Sequence, residues 1–583
     1  MMENPNNMSY QKTIRNILQN ILTRFKERDI EVDVNLVVFA VQLLARDMRL
    51  GITKCDLNNL TACTINRFID DIISGYTDPK NTTMANLKMI WLMKTTREIK
   101  LSYVQEKYEQ IFQQQLQLLI QDILQYPENC SKVQLDQLFA KMQVLIVVCY
   151  NLGCPKNHVL LKLTAQALNS VIGRTDLQNY VLKKKYHRLE YLKRLAATVS
   201  GIVIYHNDGP DGDRENVRYV IGDLMMAQKN TSEAIETTLK RLHHLRSICH
   251  SVISEQLDVD TRENIIVYRV PLEKLQWLNQ YSITFSIQER CLRLLQENFE
   301  STAYLLNRER ERYDCVVAKI NETLVMRTAI ESELVFPHFV YLGEVWNNLN
   351  NYLNHIVELN KLREQLEPLV TNEIEEAAKS IAKEIHALGQ RQKYPQKRTI
   401  LELMDAVKDY KTEADFCSIA QTDVKECCAL TLAMTNGLLL PATIEHNICT
   451  NVDIKFGFRD KSYLRVAEIY FEKFINSFRK VVFTNANVAL LFNLADAMIA
   501  HDLYRKKPKP AKSKDFNGQT EMVVTNDLSV PNWINVTWNV WDYHRDTIHK
   551  AEIRKRQTHD SQTKISFGRR NAQNQTYNTR QHY

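Results

Sequence analysis

Three residues that could bind a metal sit close together on one predicted helix: His243, Cys249 and His250, with His244 beside them. His243 and His250 are seven residues apart and share a helix face. At the rise of an α-helix that separation is about 10 Å, too far for one zinc ion to take both rings directly. A packed or surface histidine pair is the expected arrangement, so no metal and no cofactor is assigned. The stretch Asn207–Asp213 offers carboxylates and glycines, as a calcium loop does. A bidentate Glu at the twelfth position is required, but the chain has Arg218 or Tyr219 there, which fits a plain surface loop. The patterns Gly-x-x-x-x-Gly-Lys-Ser/Thr, Gly-x-Gly-x-x-Gly, Gly-x-Ser-x-Gly and His-Glu-x-x-His do not occur. The common nucleotide-binding, hydrolase and zinc-protease chemistries therefore have no sequence support. No catalytic residue is assigned.

The constellation with the most physical content lies near the end of the chain. From Arg505 to Tyr583 there are 15 Lys and Arg against 7 Asp and Glu, a surplus of 8. The whole chain carries +7, so the other 504 residues sum to −1. Charge segregated in this way fits an acidic partner: nucleic acid, anionic lipid headgroups or an acidic protein surface. Lys506 and Lys507 open a Lys/Pro stretch expected to be extended. Trp533, Trp538 and Trp541 follow, flanked by Arg545, Lys550, Arg554, Lys555 and Arg556. On a helix, Trp538, Trp541 and Ile548 make one apolar stripe within a basic field. Such a stripe suits a groove on an acidic protein, or it docks on the protein's own body. The same mixture suits RNA, although no RNA-binding motif accompanies it. Gln-Thr cores at Ala420–Asp423 and Asp560–Thr563 are short candidates for strand addition to a dynein light chain.

The remaining elements read as helices. Hydrophobic residues make up 44% and charged residues 25%, and glycine is scarce at 14 residues, which favours long helices over glycine-rich loops. Twelve cysteines without a Cys-x-x-Cys pair and a polar Met1–Tyr10 fit reduced thiols in a cytosolic compartment. The longest apolar run, Val144–Cys149, is far short of a membrane span.

Ile14, Ile17, Leu18, Ile21, Leu22 and Phe25 define a first amphipathic helix, and 34–48 a second that is apolar nearly all round. Asp56 is a candidate cap for a third. Residues 86–124 read as one long helix. The punctuation HNDGPDGD at 206–213 marks a boundary. From Leu292 a heptad runs through Leu295, Phe299, Thr302, Leu306, Glu309, Tyr313, Val316 and Ile320, the seam of an antiparallel bundle. Val335–Pro337 reads as a break and 387–398 as a linker. Asn436-Gly437 reads as a hairpin turn between short strands, and 452–458 as a strand.

The predicted fold class is mainly α: an elongated multi-helix bundle body with a small C-terminal α+β domain and a basic, partly disordered tail. The expected domains are 1–130, 131–213, 214–398, 410–504 and the tail 505–583.

Several segments carry a family resemblance in order along the chain: LVVFAV (36–41), KCDLNNL (54–60), NLKMIWLM (86–93), VSGIVIYHND (199–208), VFPHFVYLGEVWNNL (335–349), NGLLLP (436–441), VDIKFGFRDKSYL (452–464) and WNVWDYHRDTIHKAEIRKRQTH (538–559). This set resembles the cilia- and flagella-associated protein 206 family. The resemblance implies a non-enzymatic adaptor of the motile-cilium axoneme. It would dock the second radial spoke of each repeat and an inner-arm dynein on the doublet microtubule. The implied partners are tubulin, radial-spoke proteins and dynein subunits, with no membrane. Nucleic-acid binding by the tail is the alternative reading.

Overall fold

The computed structural model describes residues 5–47, 61–207, 217–260, 263–325, 331–391, 396–400, 402, 424–447 and 455–499. It is mainly α-helical with two small sheets. Two compact units divide the chain: Met1–Ile73 with Ala495–Tyr583, and Ser74–Leu494.

In the first unit, α1 (Pro5–Glu27) and α2 (Val34–Leu44) follow the periodicity of their sequences. Ile14, Ile17, Ile21 and Phe25 of α1 are buried, and α2 is buried throughout 36–44. Asp33 caps α2 by accepting from the Asn35 amide. Phe68, Ile69 and Ile72 form the inner face of α3 (Ala62–Thr77), and Arg24 of α1 pairs with Asp70. The cap expected at Asp56 lies outside the described residues.

The second unit begins with a correction. Residues 86–124 do not form one helix. Helix α4 (Thr82–Thr95), capped by Asn81, ends in a short 3-10 turn at Arg97–Ile99 before α5 (Leu101–Leu124). Hydroxyls of Thr95 and Thr96 turn back onto the carbonyls of Trp91, Leu92 and Met93. Buried His355 donates from Nε2 to the Ile99 carbonyl oxygen at the junction (2.8 Å), and its Nδ1 lies 2.9 Å from Thr302 Oγ1. Since a carbonyl only accepts, Nε2 carries the proton. A contact from more than 250 residues away thus fixes a break that local periodicity could not announce.

Helices α6 (Lys132–Cys149), α7 (His158–Val171), α8 (Arg174–Leu182) and α9 (Lys185–Asn207) follow. Ser131 and Gln134 make a reciprocal capping box on α6. Three long helices come next: α10 (Val217–Gln256), α11 (Leu272–Val325) and α12 (Ser332–Leu366). The contacts Gln228–Phe299 and His250–Ser282 make α10 and α11 antiparallel. Those of Thr302–His355 and Gln288–Leu366 do the same for α11 and α12. The heptad is the seam of this bundle: Leu292, Leu295, Phe299, Leu306, Glu309, Tyr313 and Ile320 of α11 are all fully buried. Pro337 does not break the chain but sits inside the second turn of α12. Burial of Val335 and Phe339 anchors that end of the helix. Helix α9 packs on α12, so elements on either side of 206–213 share a core; 208–213 themselves lie outside the described residues. Helix α13 (Asn372–Arg391) turns Ile374, Ala378, Ala382 and Ile385 inward and its acidic face outward, apart from Glu375, which is buried and lies 3.4 Å from Arg241.

Two further expectations are corrected. Strands β1 (Leu257–Asp260) and β2 (Ile265–Tyr268) form a hairpin between α10 and α11. The supposed linker supplies β3 (Gln396–Thr399), which pairs antiparallel with β2. All four β3 residues are exposed, so no apolar alternation could reveal the strand. Asn436-Gly437 is not a hairpin turn either. It ends helix α14 (Ala429–Met434): Asn436 has φ +57°, Gly437 φ +110°, and the Gly437 amide donates to the Leu432 carbonyl. This 6→1 bond is the helix-terminating use of the same left-handed dipeptide. Of the expected strand at 452–458, the part at 455–458 is present as β6 (Lys455–Phe458), and 452–454 lie outside the described residues. Strand β6 runs parallel to β4 (Val424–Cys428) and antiparallel to β5 (Ile444–Asn447), in the order β4-β6-β5. Helices α15 (Lys461–Ile469), α16 (Phe471–Thr484) and α17 (Ala486–Leu491) complete this region, where Phe456, Phe458, Phe474 and Phe478 cluster edge-on and tilted.

Glycines let α9 and α12 approach closely. A Cβ on Gly201 would stand 1.9 Å from the Phe339 carbonyl oxygen, and one on Gly343 2.6 Å from that of Ala197. Gly→Ala in a helix ordinarily stabilises by about 1 kcal/mol. Here the forced separation reverses the sign, and Gly201→Ala is expected to destabilise by about 1–3 kcal/mol. Urea unfolding of the two proteins checks this; an unchanged or raised midpoint would show that the helices do not meet at Gly201.

Candidate functional site

A cleft of about 1030 Å³ within the second unit lies between α10–α11 and the 424–493 region. Its first wall follows helical spacing. His243, Ser247, His250 and Ser254 recur along α10, and Ser286, Glu289, Arg290 and Arg293 along α11. The second wall comes from β4, from the segment around Leu439 and Pro441, and from the end of α17.

Side chains of α11 hold that second wall in place. Asn279 donates from Nδ2 to the Gly437 carbonyl (2.7 Å) and accepts at Oδ1 from the Leu439 amide (2.8 Å). Gln276 donates to the Thr435 carbonyl at 3.0 Å. Arg290 donates to the carbonyls of Leu490 and Leu491 at the C-terminus of α17, where a cation complements the helix dipole. Asn487 of the same helix donates to Thr83 of α4 at 3.0 Å. Buried Asn279 satisfies its carbonyl and one amide hydrogen on a chain segment 158 residues away, so it acts as a specific clamp.

The electrostatics centre on Glu289, whose side chain is 3% exposed. Arg246 of α10 lies 3.0 Å from one oxygen and Arg293 of α11 2.5 Å from the other. A carboxylate this deeply buried is tolerable only because two cations face it. Beside them, His250 Nε2 lies 2.8 Å from Ser282 Oγ. Burial first, then the charges of Arg246 and His243, pull the His250 pKa down to about 4.

A Ser–His contact is the minimum geometry for an activated nucleophile. Ser282 is fully buried, however, and a neutral imidazole with so low a pKa is a weak base. The pair is a bond between two helices. The thiols are equally unsuited: burial pushes Cys249 up to about 12, and Cys427, in the cleft wall, higher still.

Among the described residues no group of three His, Cys, Asp or Glu could hold a metal. Of the residues first considered for metal binding, the structure puts His250 in the wall, His243 at the exposed rim and Cys249 in the core. Trp533, Trp538, Trp541, Arg545, Lys550, Arg554, Lys555, Arg556, Lys506 and Lys507 lie outside the described residues, as do both Gln-Thr cores. Sequence reasoning missed Arg246, Glu289, Arg290 and Arg293. The available signal was Glu289, a charge three residues before Leu292 on an otherwise apolar face.

The class these features define is a mainly α-helical protein whose C-terminal half builds a polar cleft. The FAP206 model, described as a domain of unknown function, matches residues 223–499, which include every group lining that cleft. Three relatives, each called cilia- and flagella-associated protein 206, come from Bos taurus, Homo sapiens and Danio rerio. They are 23%, 20% and 20% identical, with 97% of this chain covered and 91%, 91% and 92% of theirs. No solved structure matches. The chain is thus similar to the cilia- and flagella-associated protein 206 family, through the domain match over 223–499 and through these relatives along nearly its whole length. Neither the domain description nor these names denotes an enzyme.

The depressed pKa of His250 has a definite consequence for stability. The unfolded chain takes up the proton first, so the stabilising effect of the neutral ring is complete above the ordinary value of 6.5. It is lost as pH falls from there towards about 4. The melting temperature of His250→Gln is expected to fall less than that of the parent between pH 7 and pH 4.5, measured by circular dichroism; parallel pH profiles would contradict this.

Proposed function

We propose that this protein is a non-enzymatic adaptor of the motile-cilium axoneme. It docks the second radial spoke of each repeat and an inner-arm dynein onto the doublet microtubule, and ciliary or flagellar motility requires it. The observation that carries this reading is similarity to relatives named cilia- and flagella-associated protein 206 along 97% of the chain. A domain match alone would leave the rest of the chain free to serve another purpose.

Two physical features support the reading. Antiparallel helices with a seam buried at every heptad position but Val316 suit a part that holds neighbours at fixed positions. The basic excess after Arg505 suits tubulin, whose surface is acidic, through steering and rim contacts. Partners under this reading are tubulin, radial-spoke proteins, inner-arm dynein subunits and, through a Gln-Thr core, a dynein light chain.

The test is to tag the endogenous protein in a ciliated cell, extract axonemes with detergent and then with graded salt, and repeat with residues 505–583 deleted. The full chain is expected to stay on detergent-extracted axonemes at a regular interval, and the deletion to leave them at lower salt. A protein that never enters cilia would overturn the proposal and favour RNA binding by the tail. Equal salt resistance of the two proteins would remove the tail from the account.

A further inference from the structure

One wall of the cleft carries more positive charge than its own acid neutralises. Three guanidiniums stand there, Arg246 on α10 and Arg290 and Arg293 on α11, with Glu289 as the buried carboxylate between two of them. Guanidinium does not deprotonate in proteins, so the surplus persists at every working pH. The other acids that line the cleft, Glu426 and Glu445, are exposed at the opposite rim, where water and salt weaken their reach. The α10–α11 wall is therefore net positive, with Arg293 reaching into the open cleft. Burial first, and then the charge of Arg246, keeps His250 neutral, so it adds nothing that would repel or attract a ligand.

The remaining lining indicates what kind of anion fits. Ser247, Ser251 and Ser254 place hydroxyls along α10 at spacings of four and three residues, a row of about 10 Å. Leu439 and Phe492 supply apolar surface across from it. A volume of about 1030 Å³ is at the upper end of small-molecule pockets, and a single small anion would fill little of it. Guanidiniums, a row of hydroxyls and an apolar strip together match an extended chain with carboxylate side chains and apolar neighbours.

We propose that this cleft binds an acidic peptide segment of a partner protein, with a carboxylate seated against Arg293 and Arg246 on the α10–α11 wall. Arg293 is the available anchor: its side chain is 60% exposed, and a guanidinium has five N–H donors, of which Glu289 takes few.

The test uses the full chain and a short fluorescent peptide of Glu and Leu, followed by anisotropy at low and raised salt, with a Gln/Leu peptide as the uncharged control. Two variants change exposed side chains of the wall: Arg293→Gln removes the anchor, and Ser247→Glu sets a carboxylate in the path of the ligand. Each is expected to weaken binding of the acidic peptide about tenfold, the effect of one charged hydrogen bond, with circular dichroism unchanged. If one variant does not fold, the other decides. The control peptide is expected not to bind. Equal affinity in the parent and the folded variants would place the contact elsewhere, such as the basic stretch after Arg505, and overturn the proposal. So would absence of binding, or displacement of the peptide by free glutarate at equal carboxylate concentration, which would make the cleft a small-anion site.

Discussion

Burial of α11 is the constraint on which the second unit depends. This helix has 54 residues and extends about 80 Å. It packs against α4, α10, α12, α13 and α17. A helix covered on so many sides must be apolar around much of its circumference, and Leu275, Leu278, Phe285, Leu292, Leu295, Phe299, Leu306 and Ile320 are all fully buried. Its neighbours gain their positions from this contact, since helical propensity alone stabilises little. The small β4–β6 region is no exception, because it is fastened to α11 through Asn279, Gln276 and Arg290.

An apolar seam sets which faces meet but constrains sliding along the axis weakly. Polar groups inside the seam supply that constraint. Glu289 bridges α10 and α11 through Arg246. His355 joins α12 to Thr302 of α11 and to the turn after α4. At the α5–α12 contact, burial alone would raise the Glu358 pKa. Hydrogen bonds from Lys107, Lys361 and Tyr108 overcome that and hold it down to about 2. Replacing such groups by apolar ones can leave stability unchanged, but removing one partner strands a buried charge. They therefore act chiefly on register, and register is what allows the second wall of the cleft to meet the first.

Much of the helical architecture was legible because periodicity reports burial directly. The heptad from Leu292 to Ile320 could be read through the charged slip at Glu309, and 36–44 through an apolar run that only Gln42 interrupts. What escaped depended on distant partners. The turn at Arg97–Ile99 is held by His355, and β3 by the backbone of β2. Asn436-Gly437 was ambiguous in itself, since a hairpin and a helix C-terminus both need left-handed backbone there. The cleft was hidden for the same reason. Arg246, Arg290 and Arg293 look like solvated helix residues until a wall from more than a hundred residues away closes over them.

The account rests on α11 being the least mobile part of the second unit. Hydrogen–deuterium exchange of the full chain, read peptide by peptide, tests that most directly, because amides deep in a cooperative core open only with the whole unit. The account predicts slowest exchange within 285–320 of α11 and comparable protection at 437–440, where Asn279 holds the chain. Exchange in α11 as fast as in the exposed turns around α7 and α8 would contradict it.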